Sequence, residues 1–377
     1  MTRGERVIAF IEKYCRAPEG VHVGQPIVLE AFQKKFICDV YDNPHGTHTA
    51  ILSIARKNGK TALIAGILLA HLIGPEAVLN SQIVSGALSR DQASIVFKLA
   101  VKMINLNEDL QGLVHIIPST KTLIGLARNV EFRALSAEGK TTHGLSPILA
   151  ILDETGQVQG PQDDFVDAVV TAQGAHDAPL LMVISTQAAT DADLLSIWID
   201  DALKGEDPRT VCHLYSTPIE KDILSKEAWK LSNPALGQFR SESDMQKLAE
   251  KASRMPSAEN TFRNLNLNQR VSTVSPFIAK QTWDSCLGEL PPIYECDEVW
   301  AGLDLSARTD LTACVFLGRK TNKFYAYPFV WTPEVGLMDR AKRDRVPYDV
   351  WARQGYLFTT PGATVDYEYA CLLKPVS

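Results

Sequence analysis

The stretch Ala50-Ile51-Leu52-Ser53-Ile54-Ala55-Arg56-Lys57-Asn58-Gly59-Lys60-Thr61 passes from an apolar run into a polar loop that ends in Gly-Lys-Thr. A short apolar run closed by a loop suits a buried strand. Lys60 to Leu72 then reads as a helix stopped near Gly74–Pro75. Strand, loop and helix in that order form the setting of a phosphate-binding loop. Gly59 lets the backbone approach phosphate oxygens, and the N–H groups of the loop, that of Asn58 among them, point at the anion. Lys60 supplies a cation for the β- and γ-phosphates, Thr61 a hydroxyl for Mg²⁺, and the helix N-terminus a favourable dipole. The match is partial, because Ile54 stands where the full pattern has its first glycine. A polar turn ahead of a helix would read the same way in isolation.

Working outward, Ile148-Leu-Ala-Ile-Leu152 is wholly apolar and runs into Asp153-Glu154. Such a run is expected of a strand buried on both faces. Acids at its carboxyl end lie where ligands bind in open α/β sheets. Asp153 is expected to hold Mg²⁺, and Glu154 to orient the water that attacks the γ-phosphate of ATP. Lys60 and the two acids are expected at the tips of adjacent parallel strands. Ser81 to Ala87, Asn129 to Leu135 and Leu180 to Ile184 are further strand candidates, and Ser89 caps a helix running to about Asn105. Strands alternating with helices predict an α/β fold, a mostly parallel sheet with flanking helices. Gly139-Lys140-Thr141 repeats the Gly-Lys-Thr signal but leads into Thr142-His143-Gly144 and no apolar helix, so it is set aside as a phosphate loop. His143 is not expected to act as a base.

The 377 residues are 45% hydrophobic and 22% charged, which suits two or three globular domains. A net charge of −6 argues against a protein that coats nucleic acid, so any DNA contact rests on a local basic patch. The seven cysteines include no C-x-x-C pair, which disfavours a zinc site or a disulfide framework. The longest apolar run, Ala62 to Leu72, is about ten residues, far short of the ~20 that cross a bilayer. No membrane partner is expected.

Beyond Tyr215 the chain turns helical and polar, with Pro218, Pro234 and Pro256 as punctuation, and Glu298 to Leu305 opens a second α/β unit. Three segments are predicted: 1–214, a helical lid or linker over 215–294, and 295–377. Arg263 and Arg270, with Asn264, Asn266, Asn268 and Gln269 between them, read as a solvated helix face or a phosphate contact. Arg340 to Arg345 reads as an exposed charge run, and the six tryptophans as packing residues.

This ordered set resembles the large terminase subunit of tailed bacteriophages. Arg56 ahead of Gly59-Lys60-Thr61 is similar to that family's deviant Walker A, Ile151 to Glu154 to its Walker B, and His143 to Pro147 to a feature just upstream. Val183-Ile-Ser185-Thr186-Gln187-Ala188 resembles its coupling motif, and Leu29-Glu-Ala-Phe-Gln33 its adenine-contacting segment, which implicates Gln33. Asn233 to Gly237 resembles its lid, and Gly302-Leu-Asp304-Leu-Ser306 with Asp310 to Ala313 the opening strands of its nuclease.

The resemblance implies an ATP-driven motor, active as a homo-oligomeric ring, that threads double-stranded DNA through a portal protein. It also implies a small terminase subunit as partner and a place in the host cytoplasm, transiently at the procapsid. For Arg56 it leaves two readings: a contact with γ-phosphate charge, or a salt bridge on the loop. It further implies an RNase H-like nuclease using two Mg²⁺ or Mn²⁺ ions, with Asp304 as first ligand. Downstream, only Asp310 and Asp366 are candidates of note before the tail Cys371 to Ser377, and a full nuclease of this kind needs about 150 residues. The expectation is an incomplete nuclease domain and no DNA cleavage by this chain alone. Linearisation of a supercoiled plasmid with Mg²⁺ or Mn²⁺, abolished by Asp304→Ala, would overturn it. A helicase-like motor without capsid partners and an inactive remnant that only binds a partner are the competing readings.

Overall fold

The computed structural model describes all residues except 21, 88, 137–144, 177, 272–284, 307–309, 345 and 373–377. Gly139-Lys140-Thr141, His143, Trp283 and Arg345 lie outside the described residues, as does most of the tail. The chain divides into two compact units, Met1–Ser275 and Pro276–Ser377.

The first unit opens with α1 (Arg3–Tyr14), capped by a Thr2–Glu5 box, and α2 (Ala31–Tyr41). Its sheet holds β1 (Thr49–Ser53), β2 (Gln82–Ala87), β3 (Val114–Ile117), β4 (Thr122–Gly125), β5 (Val130–Ser136), β6 (Pro147–Asp153), β7 (Leu180–Ser185) and β8 (Thr210–Leu214). The spatial order is β3-β4-β5-β2-β6-β7-β1-β8. The strands from β5 to β8 are mutually parallel, and β3 and β4 add an antiparallel edge. Every residue of β7 is buried, and six of the seven in β6, as expected of strands covered on both faces.

One face of this sheet is covered by α1, α2, α3 (Lys60–Leu72) and α4 (Arg90–Asn105), whose side chains Val7, Ile11, Phe36, Leu68 and Ala100 join Leu52 and Phe132 in the larger core. The helix α5 (Glu108–Gln111) leads into β3. The other face carries α6 (Asp164–Thr171) and α7 (Leu194–Lys204), with Val166, Val169, Leu195 and Ile199 packed on Ile51, Ala150 and Val183. The helices α8 (Lys226–Ser232), α9 (Glu242–Arg254) and α10 (Pro256–Leu267) close around Trp229, Met245 and Phe262. They belong to the first unit rather than standing apart from it.

One spatial expectation is corrected. β1 and β6 are not neighbours, because β7 is inserted between them and pairs in parallel with both. Two strand spacings, about 10 Å, therefore separate the tip of β1, from which the phosphate loop leads to Lys60, and the tip of β6, which carries Asp153, and β7 lies between them.

The second unit is a four-stranded sheet in the order β12-β11-β10-β9, with β9 (Glu298–Asp304), β10 (Thr312–Lys320), β11 (Lys323–Pro333) and β12 (Phe358–Thr360). The first three are antiparallel, β12 runs parallel to β11, and helices span Leu337–Asp344, Tyr348–Arg353 and Tyr367–Leu372. Arg340 departs from the exposed charge run expected of it. It is buried, and its guanidinium donates to Val335 O (2.7 Å) and Thr332 Oγ1 (3.1 Å). Trp229 and Trp331 are core residues, whereas Trp300 is half-exposed on β9.

Candidate active site

The loop between β1 and α3 takes two left-handed backbone turns, at Lys57 (φ 65°) and Gly59 (φ 73°). A side chain at Gly59 would be strained by that dihedral, and its Cβ would stand 3.1 Å from the Phe239 ring and 3.4 Å from Gln33 Nε2. Lys60 follows as the first residue of α3 and is nearly fully buried. Its ammonium donates back to Ile54 O (2.8 Å) and Ala55 O (3.2 Å). Burial pushes its pKa down to about 8, against the upward pull of Glu154 and Asp153 and with a further downward push from Arg56. Thr61, next along α3, is half-buried.

Asp153 ends β6, and burial pushes its pKa up to about 7, with the Glu154 charge adding to the rise and Lys60 opposing it. Glu154 sits in the left-handed region (φ 56°), where a non-glycine residue costs about 1–2 kcal/mol, and its N–H donates to Ile184 O (2.9 Å). Asp153 Oδ1 and Glu154 Oε2 are both buried with no hydrogen-bond partner among the described residues. Buried carboxylate oxygens are seldom left unpaired. A hard cation and an ordered water would satisfy them, so the donor set fits a divalent metal held by oxygen ligands.

The proton balance at Asp153 has a testable consequence. A carboxyl whose folded pKa lies above its unfolded value holds its proton better when folded. It therefore favours folding at acid pH, and that contribution is lost as pH rises from about 4 to about 7. Asp153→Asn removes the buried charge and is expected to raise the melting temperature of the nucleotide-free protein by a few degrees at pH 8, with little gain at pH 4. Calorimetry at the two pH values checks it, and equal melting shifts at both would contradict the burial argument.

Other sequence-predicted residues lie at the tip of β7 and on α2. Ser185, Thr186 and Gln187 at the tip of β7 are buried. Ser185 Oγ accepts from Gly156 N (2.8 Å), and Ser185 O accepts from Ile54 N (3.0 Å), so β7 touches both the acidic turn and the phosphate loop. A Cβ at Gly156 would lie 2.3 Å from Thr186 O, which requires glycine there. Gln33 on α2 is buried, its Oε1 accepts from Glu30 N (3.0 Å), and its Nε2 faces Gly59.

The side chain of Asn58 does not face the ligand space. It donates to Asn233 Oδ1 (2.9 Å) and accepts from Ala235 N (3.2 Å), which ties the loop to the 233–235 segment. Arg56 is exposed, and the salt bridge of the loop belongs to Lys57, which meets Asp244 at 3.0 Å.

The Asn-rich end of α10 is neither a solvated face nor a free phosphate contact. Asn268, in the left-handed cap position, and Gln269 are buried. Asn268 Oδ1 accepts from Gln187 N (2.7 Å), and its Nδ2 donates to Ser53 Oγ (3.0 Å) and Tyr215 O (2.9 Å). One side chain thus joins the ends of β7, β1 and β8. Arg270 donates to Gln187 Oε1 (2.9 Å) and pairs with Asp200 (2.7 Å) and Asp191 (3.1 Å), while Arg263 pairs with Glu259 (2.7 Å). Sequence reasoning missed this hub, because an Asn at every second position follows no helical period.

In the second unit Asp304 ends β9 and is exposed, in register with Ala313 of β10. Asp310 Oδ1 accepts from Leu311 N (2.8 Å), and Asp366 Oδ1 caps the last helix by accepting from Tyr369 N (2.9 Å). Tyr367 donates its hydroxyl to Ser306 O, which brings the Asp366 segment beside the strand end that carries Asp304.

A mostly parallel α/β sheet with a Gly-Lys-Thr loop, a buried acidic strand end and a third strand between them defines a P-loop ATPase. Residues 31–197 match the terminase large subunit, ATPase domain, and residues 207–371 the terminase large subunit, endonuclease domain. Over 370 residues the chain is 69% identical to the large terminase subunit of Enterobacteria phage HK97, covering 98% of this chain and 73% of that protein. The crystal structure of the HK97 bacteriophage large terminase superposes with a TM-score of 0.70 at 68% identity, covering 98% of this chain and 76% of that one. The chain belongs to the terminase large subunit family and carries its ATPase and nuclease domains.

Proposed function

We propose that residues 1–214, with the helices of 215–294 as lid, bind MgATP across β7 and use its hydrolysis to drive double-stranded DNA through a portal into a procapsid. The observations that support this best are that the charges of Asp153 and Glu154 act on the buried Lys60 ammonium, and that two buried carboxylate oxygens are left unpartnered among the described residues. Lys60 leaves the carbonyls of Ile54 and Ala55 and meets the β- and γ-phosphate oxygens, where its charge is satisfied at last. Thr61 and Asp153 would hold the Mg²⁺, which neutralises phosphate charge when bound. Glu154 orients and deprotonates the attacking water, and exposed Arg56 reaches toward γ-phosphate charge.

Ser185, Thr186 and Gln187 then carry the state of the γ-phosphate through Asn268 to α10 and the lid. In the second unit Asp304 is the proposed first ligand for Mg²⁺ or Mn²⁺ in the nuclease. The proposed partners are double-stranded DNA, the portal, a small terminase subunit and further copies of this chain in a ring, in the host cytoplasm. No helix among the described residues is long and apolar enough to cross a membrane. The test is MgATP turnover by the purified chain, expected in the wild type and lost in Lys60→Ala. Equal rates in the two would end the reading.

A further inference from the structure

We propose that Phe239 forms the wall on which the base of the bound nucleotide stacks, opposite the carboxamide of Gln33; this rests on the ATPase reading of the Gly59–Thr61 loop. Phe239 is a large aromatic side chain left 41% exposed and outside the hydrophobic clusters of its unit. Two of its ring atoms stand 3.1 and 3.2 Å from the point a Cβ at Gly59 would occupy, and Gln33 Nε2 stands 3.4 Å from the same point. A flat apolar ring and an amide donor therefore both lie against Gly59, at the end of the phosphate loop where α3 begins. Gln33 Oε1 is already engaged by Glu30 N, which leaves the Nε2 hydrogens to meet an acceptor nitrogen on a base edge. A π face with one directed polar group is what recognition of a heteroaromatic ring needs.

The position of Phe239 is fixed from below. Gly237 N donates to Arg240 O (2.9 Å), Arg240 N donates to Ala235 O (3.1 Å), and Gly237 takes φ +86°, so residues 235–240 form a closed turn. The guanidinium of Arg240 is buried against Asp244 and Asn266. Two stitches bind this turn to the phosphate loop: Asn58 to Asn233 and Ala235 on one side, and Lys57 to Asp244 on the other. A ring held this way loses little freedom on stacking, and an exposed apolar face gains from being covered. The larger purine covers more of it than a pyrimidine does, so the ring favours ATP over CTP.

The experiment measures kcat and KM for MgATP and MgCTP, and the inhibition constant of inorganic tripolyphosphate, in wild type, Phe239→Ala and Phe239→Tyr. Phe239→Ala is expected to raise KM for MgATP about 5- to 150-fold, the range of stacking energies lost on such truncation, with a much smaller fall in kcat. KM for MgCTP rises less, Phe239→Tyr stays near wild type, and tripolyphosphate, which has no base, binds all three proteins alike. An unchanged KM for MgATP in Phe239→Ala, or an equal loss of tripolyphosphate binding, would overturn the proposal, the latter by making Phe239 a support of the loop. Absence of Lys60-dependent turnover in the wild type would instead sink the ATPase reading beneath it.

Discussion

Glu154→Gln is expected to lower MgATP turnover by about 10²- to 10⁴-fold while nucleotide affinity stays within a few-fold. The substitution keeps the shape of the side chain and the left-handed turn that aims it, and removes only the capacity to take a proton from water. Glu154 Oε2 is buried without a partner, so its position is set by the backbone and not by contacts an amide would break. The Glu154 N–H to Ile184 O bond, which fixes that backbone to β7, is untouched. Single-turnover hydrolysis together with equilibrium binding separates the two quantities. Wild-type turnover in the variant would remove Glu154 from the chemistry, and loss of binding would make it a structural residue.

Asn268 gives the second large effect. Its buried amide serves Gln187 N, Ser53 Oγ and Tyr215 O, and a truncated side chain leaves those groups unpaired. With about 1–3 kcal/mol for each of the three polar groups left unsatisfied, Asn268→Ala is expected to cost roughly 3 kcal/mol or more of stability. Part of that comes from alanine in a left-handed position, and Asn268→Gly relieves it by about 1 kcal/mol without restoring any hydrogen bond. Function separates from stability here. At a temperature where the Gly variant is folded, ATP hydrolysis continues while DNA base pairs moved per ATP fall, because the Gln187 N–H loses its acceptor and only the bonds of Gln187 Nε2 to Asn268 O and of Asn264 to Gln187 O still tie β7 to α10. Denaturant unfolding and a packaging assay with purified procapsids measure the two. Wild-type coupling in Asn268→Gly would show that the signal leaves β7 by another route.

How much of this was legible in the chain follows from the range of the signals. The apolar run 50–55, the Gly-Lys-Thr loop and the helix to Leu72 are local, and β1 and α3 formed where periodicity and turn chemistry put them. The same holds for the Ser89 cap of α4 and for β6 and β7, whose unbroken apolar runs admit only strands covered on both faces. Strand order is not local. Nothing in Ile148–Asp153 says that a strand drawn from residues 180–185 will slip between it and β1, although that insertion sets the spacing of the two strand tips.

Side-chain partnership across long separations was equally hidden. Asn58 lies in the phosphate loop, and nothing local shows that its side-chain amide is committed to residues 233 and 235. Arg56 and Lys57 are neighbours in the same loop, and only the position of Asp244 decides that Lys57 takes the ion pair. The short edge strands β3 and β4 carry too few residues for a period to register.

The central claim is that Lys60, Asp153 and Glu154 act on one nucleotide across the tip of β7. The most direct measurement is a structure of the chain with MgADP and beryllium fluoride, an ATP mimic. It is expected to show Lys60 Nζ lifted from the carbonyls of Ile54 and Ala55 onto the fluoride and β-phosphate, the metal between Thr61 and Asp153, and Glu154 facing the beryllium. A nucleotide bound elsewhere, or a Lys60 still folded on its own loop with the ligand in place, would contradict it.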